Sequence, residues 1–239
     1  MGKLIFLTGC INPDGMSFTK LQNPAVRKQQ YIDAINFYLN ETDTPILFVE
    51  NSGTDISKEF DLLNLQGRLE LLTFDGNNFN KNLGKGFGEM QILKYAITHS
   101  TLYSSCEHIL KITGRYKVLN INSFLTETTF LDSELIKLDI IRSLTICESK
   151  FWICKKEFLS LFLLDYHDKL NDSEGYYFEH ALLHATFDSI KKGFRYGTLV
   201  EYPRFSGVFG TDNTKFNDSY LVWAKQNLRF KLKNHLLKN

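Results

Sequence analysis

Five short segments combine glycine with side chains that carry charge or donate hydrogen bonds. The first is Thr8-Gly9-Cys10-Ile11-Asn12-Pro13. Gly9 permits close backbone approach, and Thr8 and Asn12 offer hydrogen bonds to a base or ribose, although the same residues also make a plain turn. The second, Gly84-Lys85-Gly86-Phe87-Gly88-Glu89, opens a helical pattern. Its amides and Lys85 would form an anion cradle, and Glu89 would offset the helix dipole. It lacks the GxxxxGK[ST] order of a P-loop and does not directly follow a strand. The third is Lys111-Ile112-Thr113-Gly114-Arg115-Tyr116. A strand places Lys111 and Thr113 on one face, and Arg115 follows in the turn, where a guanidinium can hold a diphosphate bidentately. A surface arginine and a packed Tyr116 are the plainer alternative.

The fourth segment runs from Tyr176 to His184. His180 and His184 lie at i and i+4, a metal-ligand spacing, but Glu179 precedes the first histidine and no third ligand is evident. A half-buried helix is favoured over zinc. Glu179 follows three aromatic residues, and a carboxylate beside an apolar wall can serve as a general base. The fifth, Glu201–Thr211, alternates small residues with aromatics. It reads as a loop over a ligand, with Arg204 as a second anion contact beside Ser206 and Gly207, or as an ordinary apolar loop.

Apolar runs of strand length alternate with stretches of helical period, and these elements must position the five segments. Strands are expected at Leu4–Thr8, Pro45–Glu50, Leu69–Phe74 and His108–Thr113, and helices at Pro24–Leu39 and Gly88–His99. Strand, helix, strand, strand, helix, strand predicts an α/β fold with a mostly parallel central sheet flanked by helices. The turns after these strands would share one sheet edge, bringing Gly9, Asn51, Ser52, Gly53, Gly114 and Arg115 together. The second half is less regular. Strands are expected at Ile140–Ile146 and Ser149–Cys154, helices at Glu157–Leu164, Phe178–Phe187 and Asn217–Leu237, and an extended segment at Tyr196–Tyr202. No repeat or linker divides the chain, so residues 1–239 are expected to form a single domain. Residues 1–120 would be its nucleotide-binding half and 121–239 its acceptor-facing half.

The chain has 239 residues, of which 28 are Lys or Arg and 27 are Asp or Glu. A net charge of +1 argues against a globally basic nucleic-acid binder. The 43% hydrophobic content supplies a core and excludes general disorder. No apolar stretch approaches the roughly 20 residues of a membrane span. The four cysteines form no CxxC pair, which removes zinc-ribbon and thioredoxin readings. With no export signal evident, a cytoplasmic location and reduced thiols are expected.

Taken in this order, Thr8–Pro13, Val49–Gly53, Gly84–Glu89, Lys111–Tyr116 and Tyr202–Gly207 resemble a bacterial GT-A-type glycosyltransferase of the group that builds capsular polysaccharide or lipopolysaccharide O-chains. The resemblance spans Thr8 to Gly207 and rests on the order of short motifs. It implies a Rossmann-like sheet with a nucleotide-sugar donor over its strand ends and a glycan or lipid-linked acceptor. The donor contacts it implies are Thr8, Gly9, Asn12, Glu50, Asn51, Ser52, Lys85, Gly86, Gly88, Glu89, Thr113, Gly114, Arg115, Tyr116, Arg204, Ser206 and Gly207.

The family usually carries Asp-x-Asp after the strand that ends here at Thr113, and those carboxylates hold a divalent metal. This chain has Thr113-Gly114-Arg115 instead, so no cofactor is expected. Fixed cations, Lys85, Arg115 and Arg204, would neutralise the leaving diphosphate in place of a metal. Glu179 is the expected base for an inverting transfer, with Glu50 and Glu89 in reserve. A nucleotidyltransferase would share the sheet and the Gly/Lys-rich loop but would want metal-binding carboxylates. A non-catalytic nucleotide- or sugar-binding module would need neither base nor phosphate cradle. The segment from Trp223 to Asn239 interleaves basic residues with leucines. It would rest on the inner face of the plasma membrane, or pack on the sheet with a solvated basic face.

Overall fold

The structure is a computed structural model, and it describes residues 2–16, 19–127, 130–208, 214–216 and 219–238. Its first half follows the apolar runs. Strand β1 (Lys3–Gly9) leads to helix α1 (Pro24–Glu41), then β2 (Ile46–Glu50), β3 (Leu69–Thr73), α2 (Gly84–His99), a short α3 (Thr101–Ser105) and β4 (His108–Thr113). Helix α1 starts where Pro24 needs no amide partner and Asn23 accepts from the Ala25 and Val26 amides.

The second half adds β5 (Lys117–Val118), α4 (Ile121–Glu127), β6 (Glu134–Lys137), β7 (Ile140–Ile141), β8 (Ile146–Cys147) and β9 (Phe151–Lys155). These are followed by α5 (Phe178–Lys191), β10 (Arg195–Gly197), β11 (Phe205–Ser206) and α6 (Tyr220–Lys238). Several expectations change here. Ile140–Ile146 is not one strand but the hairpin β7–β8, turned through Arg142, Ser143 and Leu144, all at positive φ. Glu157–Leu164 gives a π-helical turn at Leu159–Leu163, continued by a 3-10 turn at Leu164–Lys169. Strand β6 carries no period-two signal, because its four residues, Glu134–Lys137, set two adjacent buried apolar side chains between two polar ones.

Seven strands form one sheet in the order β10-β6-β9-β4-β1-β2-β3. Neighbours are parallel except at β9, which runs against both β4 and β6. This is the mostly parallel, helix-flanked α/β sheet expected. The strand order reverses around β1, between β2 and β4. In such sheets the crevice at that switch point, outside the carboxyl ends of the strands, accepts ligands.

Alternation along each strand splits the core into two layers. Leu4, Phe6, Ile109 and Trp152 face α2 and α5, where they meet Met90, Leu93, Phe178 and Leu182. Ile5, Leu7, Ile112 and Phe151 face the other way, against Tyr31, Ile35 and Tyr38 of α1, Phe124 of α4 and Phe230 of α6. Two polar side chains on the first face, Thr8 and Lys111, are almost completely buried. They lead to the site.

Candidate functional site

Strands β1 and β4 deliver Thr8 and Lys111 to the same face, in register with their neighbours: Thr8 lies beside Thr113, and Phe6 beside Lys111. The Lys111 ammonium, 1% exposed, forms an ion pair with Glu89 of α2. The Thr8 hydroxyl donates to the same Glu89 oxygen at 2.9 Å. Lys111 also donates to the Ser149 carbonyl at 3.2 Å, and the Ser149 hydroxyl donates to Glu179 Oε1 at 2.7 Å. A continuous polar chain thus runs under the strand ends from Thr8 through Glu89, Lys111 and Ser149 to Glu179. Glu179 stands in the first turn of α5 and is half-buried.

The glycine-rich segment is the first turn of α2 rather than a loop before it. Gly84 has φ +82°, and a Cβ there would lie 1.9 Å from Asp172 Oδ2. Asp172 Oδ2 accepts the Lys85 amide at 3.1 Å, and the Gly84 amide donates to the Lys81 carbonyl. The anion cradle expected at Gly84–Glu89 is therefore filled from within the chain, by a carboxylate that caps the helix. Gly86 has a second use: a Cβ on it would stand 3.0 Å from the Phe178 amide nitrogen. A side chain at Gly88 would likewise press on Asn51. Gly86 thus lets α2 seat the start of α5, the turn that carries Glu179.

Asp172 is 7% exposed, and among the described residues its Oδ1 has no hydrogen-bond partner. Burial raises its pKa to about 6, from an ordinary value of 3.8; the Lys85 amide opposes the shift and the Glu179 charge adds to it. The folded state therefore holds this proton more tightly than the unfolded chain. Its contribution to stability is fully present below pH 3.8 and is lost as pH rises to about 6. Asp172→Asn should remove that decline, seen as the difference between wild-type and variant urea midpoints from pH 4 to 7.

On the α1 side of β1 stand two buried guanidinium groups, Arg115 and Arg27. Arg115 is 8% exposed. Among the described residues its Nη1 donates to Gln30 Oε1 at 3.3 Å and to the Val208 carbonyl at 3.4 Å, and its buried Nε has no partner. Arg27 of α1, 5% exposed, donates from Nε to the Cys10 carbonyl at 2.8 Å, from Nη1 to the Leu21 carbonyl at 3.3 Å, and from Nη2 to the Cys10 carbonyl at 2.5 Å and the Tyr31 hydroxyl at 3.3 Å, so neutral oxygens hold its nitrogens. Among the described residues neither guanidinium pairs with an Asp or Glu. Both act on Lys85, whose pKa is lowered first by burial and then by Arg115 and Arg27, against the pull of Asp172 and Glu179. Lys85, Arg115, Arg27, Asp172 and Glu179 thus share one electrostatic environment at the carboxyl ends of β1 and β4. The sequence reading missed Arg27. Its signal was a cation in phase with the buried stripe Tyr31, Ala34, Ile35 and Tyr38 of α1.

The remaining expected residues divide by role. Glu50 is fully buried and accepts from the Ile11 amide at 2.7 Å, the Thr54 amide at 2.9 Å and both the amide and hydroxyl of Ser52. Saturated in this way, it ties the loops after β1 and β2 together and is corrected from ligand contact and reserve base to loop anchor. Glu89 is likewise held by Lys111 and Thr8, which removes it as a reserve base. Ser52 accepts the Asn12 amide at 2.9 Å, while Asn51 is buried against the Gly88 carbonyl, with its Oδ1 unpartnered. Gly9 and Gly114 flank the end of β1: the Gly114 amide donates to the Thr8 carbonyl at 2.9 Å, and Phe48 leaves no room for a side chain at Gly9.

Tyr116 is a core residue, 5% exposed and packed edge-on against Phe205 and Phe216, so the plainer reading of it holds. Ser206 pairs with Lys117 in the small β5–β11 sheet, and Gly207 lies against the Arg115 carbonyl. The Arg204 guanidinium lies 5.8 Å from the Tyr220 ring centre, on the edge built by β5, β11 and α6. The end of its loop, 209–211, lies outside the described residues. His180 accepts the Tyr177 amide at 3.1 Å as a helix cap, and His184 hydrogen-bonds the Tyr176 hydroxyl at 2.7 Å. At the end of β4, where a carboxylate pair would hold a divalent cation, a guanidinium stands instead. That residue set does not fit such a metal.

No protein-family model and no curated protein matches the chain. Among solved structures the chain is similar to the inositol-1-phosphate CTP transferase from T. maritima, at 13% identity and TM-score 0.45, over 83% of this chain and 85% of that one. Mouse xyloside xylosyltransferase 1 in its apo form gives 13% and 0.45, over 83% and 84%. A galactosyltransferase in complex with donor and acceptor sugar analogues gives 8% and 0.46, over 82% and 72%. Likenesses this distant concern the path of the chain, and the site is read from its own residues.

Proposed function

We propose that the protein is a glycosyltransferase that moves a sugar from a nucleotide-sugar donor to a glycan or lipid-linked acceptor in surface polysaccharide synthesis. One observation carries this reading. Two buried guanidinium groups, Arg27 and Arg115, meet no carboxylate among the described residues and stand at the switch point of the sheet. Buried charge is costly unless it is paired, and a diphosphate supplies the missing anion. Lys85 adds a third cation to the same edge.

The chemistry then follows from the placement of Glu179. Ser149 fixes Oε1, which leaves Oε2 to take the proton from the acceptor hydroxyl. The acceptor oxygen attacks the anomeric carbon as the bond to the diphosphate oxygen breaks. The electron pair leaves with the nucleoside diphosphate, and Arg115, Arg27 and Lys85 stabilise the charge that develops on it. An in-line displacement of this kind inverts the anomeric configuration.

Nucleoside diphosphates are expected to raise the melting temperature, while the matching nucleosides are not. A ligand at about 100 times its dissociation constant adds roughly 2.7 kcal/mol to native-state stability. A screen of UDP, GDP and CDP against uridine, guanosine and cytidine by thermal shift checks this. Products separate glycosyl from nucleotidyl transfer: release of nucleoside diphosphate supports the reading, and release or consumption of pyrophosphate would replace it with the nucleotidyltransferase alternative.

A further inference from the structure

Helix α6 is docked by one face only. Phe230 and Asn234 are buried, Trp223 Nε1 donates to the Tyr202 carbonyl at 2.7 Å, and Asn227 Oδ1 accepts the Tyr202 amide at 2.9 Å. Lys233 is drawn inward to Asp139 and to the Ile140 carbonyl. The opposite face carries Leu221, Leu228 and Leu232, which are 79%, 61% and 57% exposed. Their spacing of seven and four residues sets them in one stripe along the helix. Lys225, Arg229 and Lys231 are exposed beside that stripe, and α6 contains no acidic residue. Three large apolar side chains in a row are unusual on a free helix face, and a border of one charge sign fixes what could cover them.

We infer that this face of α6 is a docking surface for an anionic lipid bilayer. The leucines would enter the boundary between headgroups and acyl chains, while Lys225, Arg229 and Lys231 meet the lipid phosphates. A second copy of the chain is a poorer partner, because a self-complementary contact would bring the same cations face to face without acids to offset them. At its first turn the surface begins beside Arg204, whose guanidinium lies over Tyr220. Attachment through α6 would hold the edge that carries Arg204 next to the membrane. The inference concerns the helix alone and does not depend on the reaction.

The test is co-sedimentation of the full chain with phosphatidylglycerol/phosphatidylcholine vesicles and with pure phosphatidylcholine vesicles, in roughly 0.1 M salt. The protein is expected to pellet with the anionic vesicles only, and less so as salt rises. The triple exchange Leu221→Ser, Leu228→Ser, Leu232→Ser and the triple reversal Lys225→Glu, Arg229→Glu, Lys231→Glu should each weaken binding about tenfold or more. Because all six side chains are exposed, the melting temperature should stay near that of the wild type, which separates loss of binding from loss of fold. Absence of pelleting with anionic vesicles would overturn the inference, as would equal binding by the wild type and both variants. A dimer that the serine variants convert to monomer, without any vesicle binding, would assign the face to a second copy instead.

Discussion

If Glu179 is the base proposed above, Glu179→Gln should lower turnover by about 10²–10⁴-fold, the usual contribution of a positioned general base, while donor affinity and melting temperature should stay near those of the wild type. Glutamine keeps the shape of the side chain and still accepts the Ser149 hydroxyl, so the start of α5 is undisturbed. What it loses is the ability to take a proton. Steady-state kinetics with saturating donor, paired with thermal melting and donor titration, checks the expectation. A variant that kept near-normal turnover would remove Glu179 from the role of base and leave Asp172, the carboxylate that shares its environment, as the next residue to test. A variant that lost donor binding as well would show that Glu179 holds the substrate rather than activating it.

The second large effect falls on stability. Lys111→Met should cost about 3 kcal/mol of unfolding free energy, measured by urea denaturation. Methionine fills much of the volume of the lysine chain, so packing against Phe178 changes little. The loss is electrostatic: among the described residues Glu89 would keep the Thr8 hydroxyl but lose the charge that answers its carboxylate. The cost is set toward the low end for a broken buried pair because the Glu89 side chain is 20% exposed and water can reach it. The double change Lys111→Met with Glu89→Gln should recover a good part of the loss, since the uncompensated charge is gone. Equal destabilisation by the single and double variants would show that the pair contributes through packing instead.

Lys111 also illustrates how much of the site local sequence can show. Its place on a strand, on the same face as Thr113, followed from period-two alternation within Lys111-Ile112-Thr113. That it is buried did not, because a lysine on a strand ordinarily reaches solvent, and only the arrival of Glu89 from α2 makes burial tolerable. The glycine-rich run gives the converse case. Gly84, Gly86 and Gly88 were read as room for a phosphate, since Gly and Lys at a helix start suit an anion. The tertiary structure spends that room on Asp172 and Phe178, which lie about 90 residues away along the chain. Glu50 looked like one more polar residue at a strand end, and four donors from two loops make it a brace.

The sequence by itself determined the α/β class and the first four strands to within about a residue. These depend on side-chain period and on turn residues, which act over a few positions of the chain. It also placed Arg115 and Glu179, because each sits at the end or start of an element whose bounds the pattern marks. Only the tertiary structure decided which charged groups find an opposite charge among the described residues. Lys111 finds Glu89, the Lys85 amide finds Asp172, and Arg27 and Arg115 find no carboxylate among the described residues. Pairing depends on approach in space between segments far apart in sequence, so it cannot be read from patterns that act over a few positions of the chain.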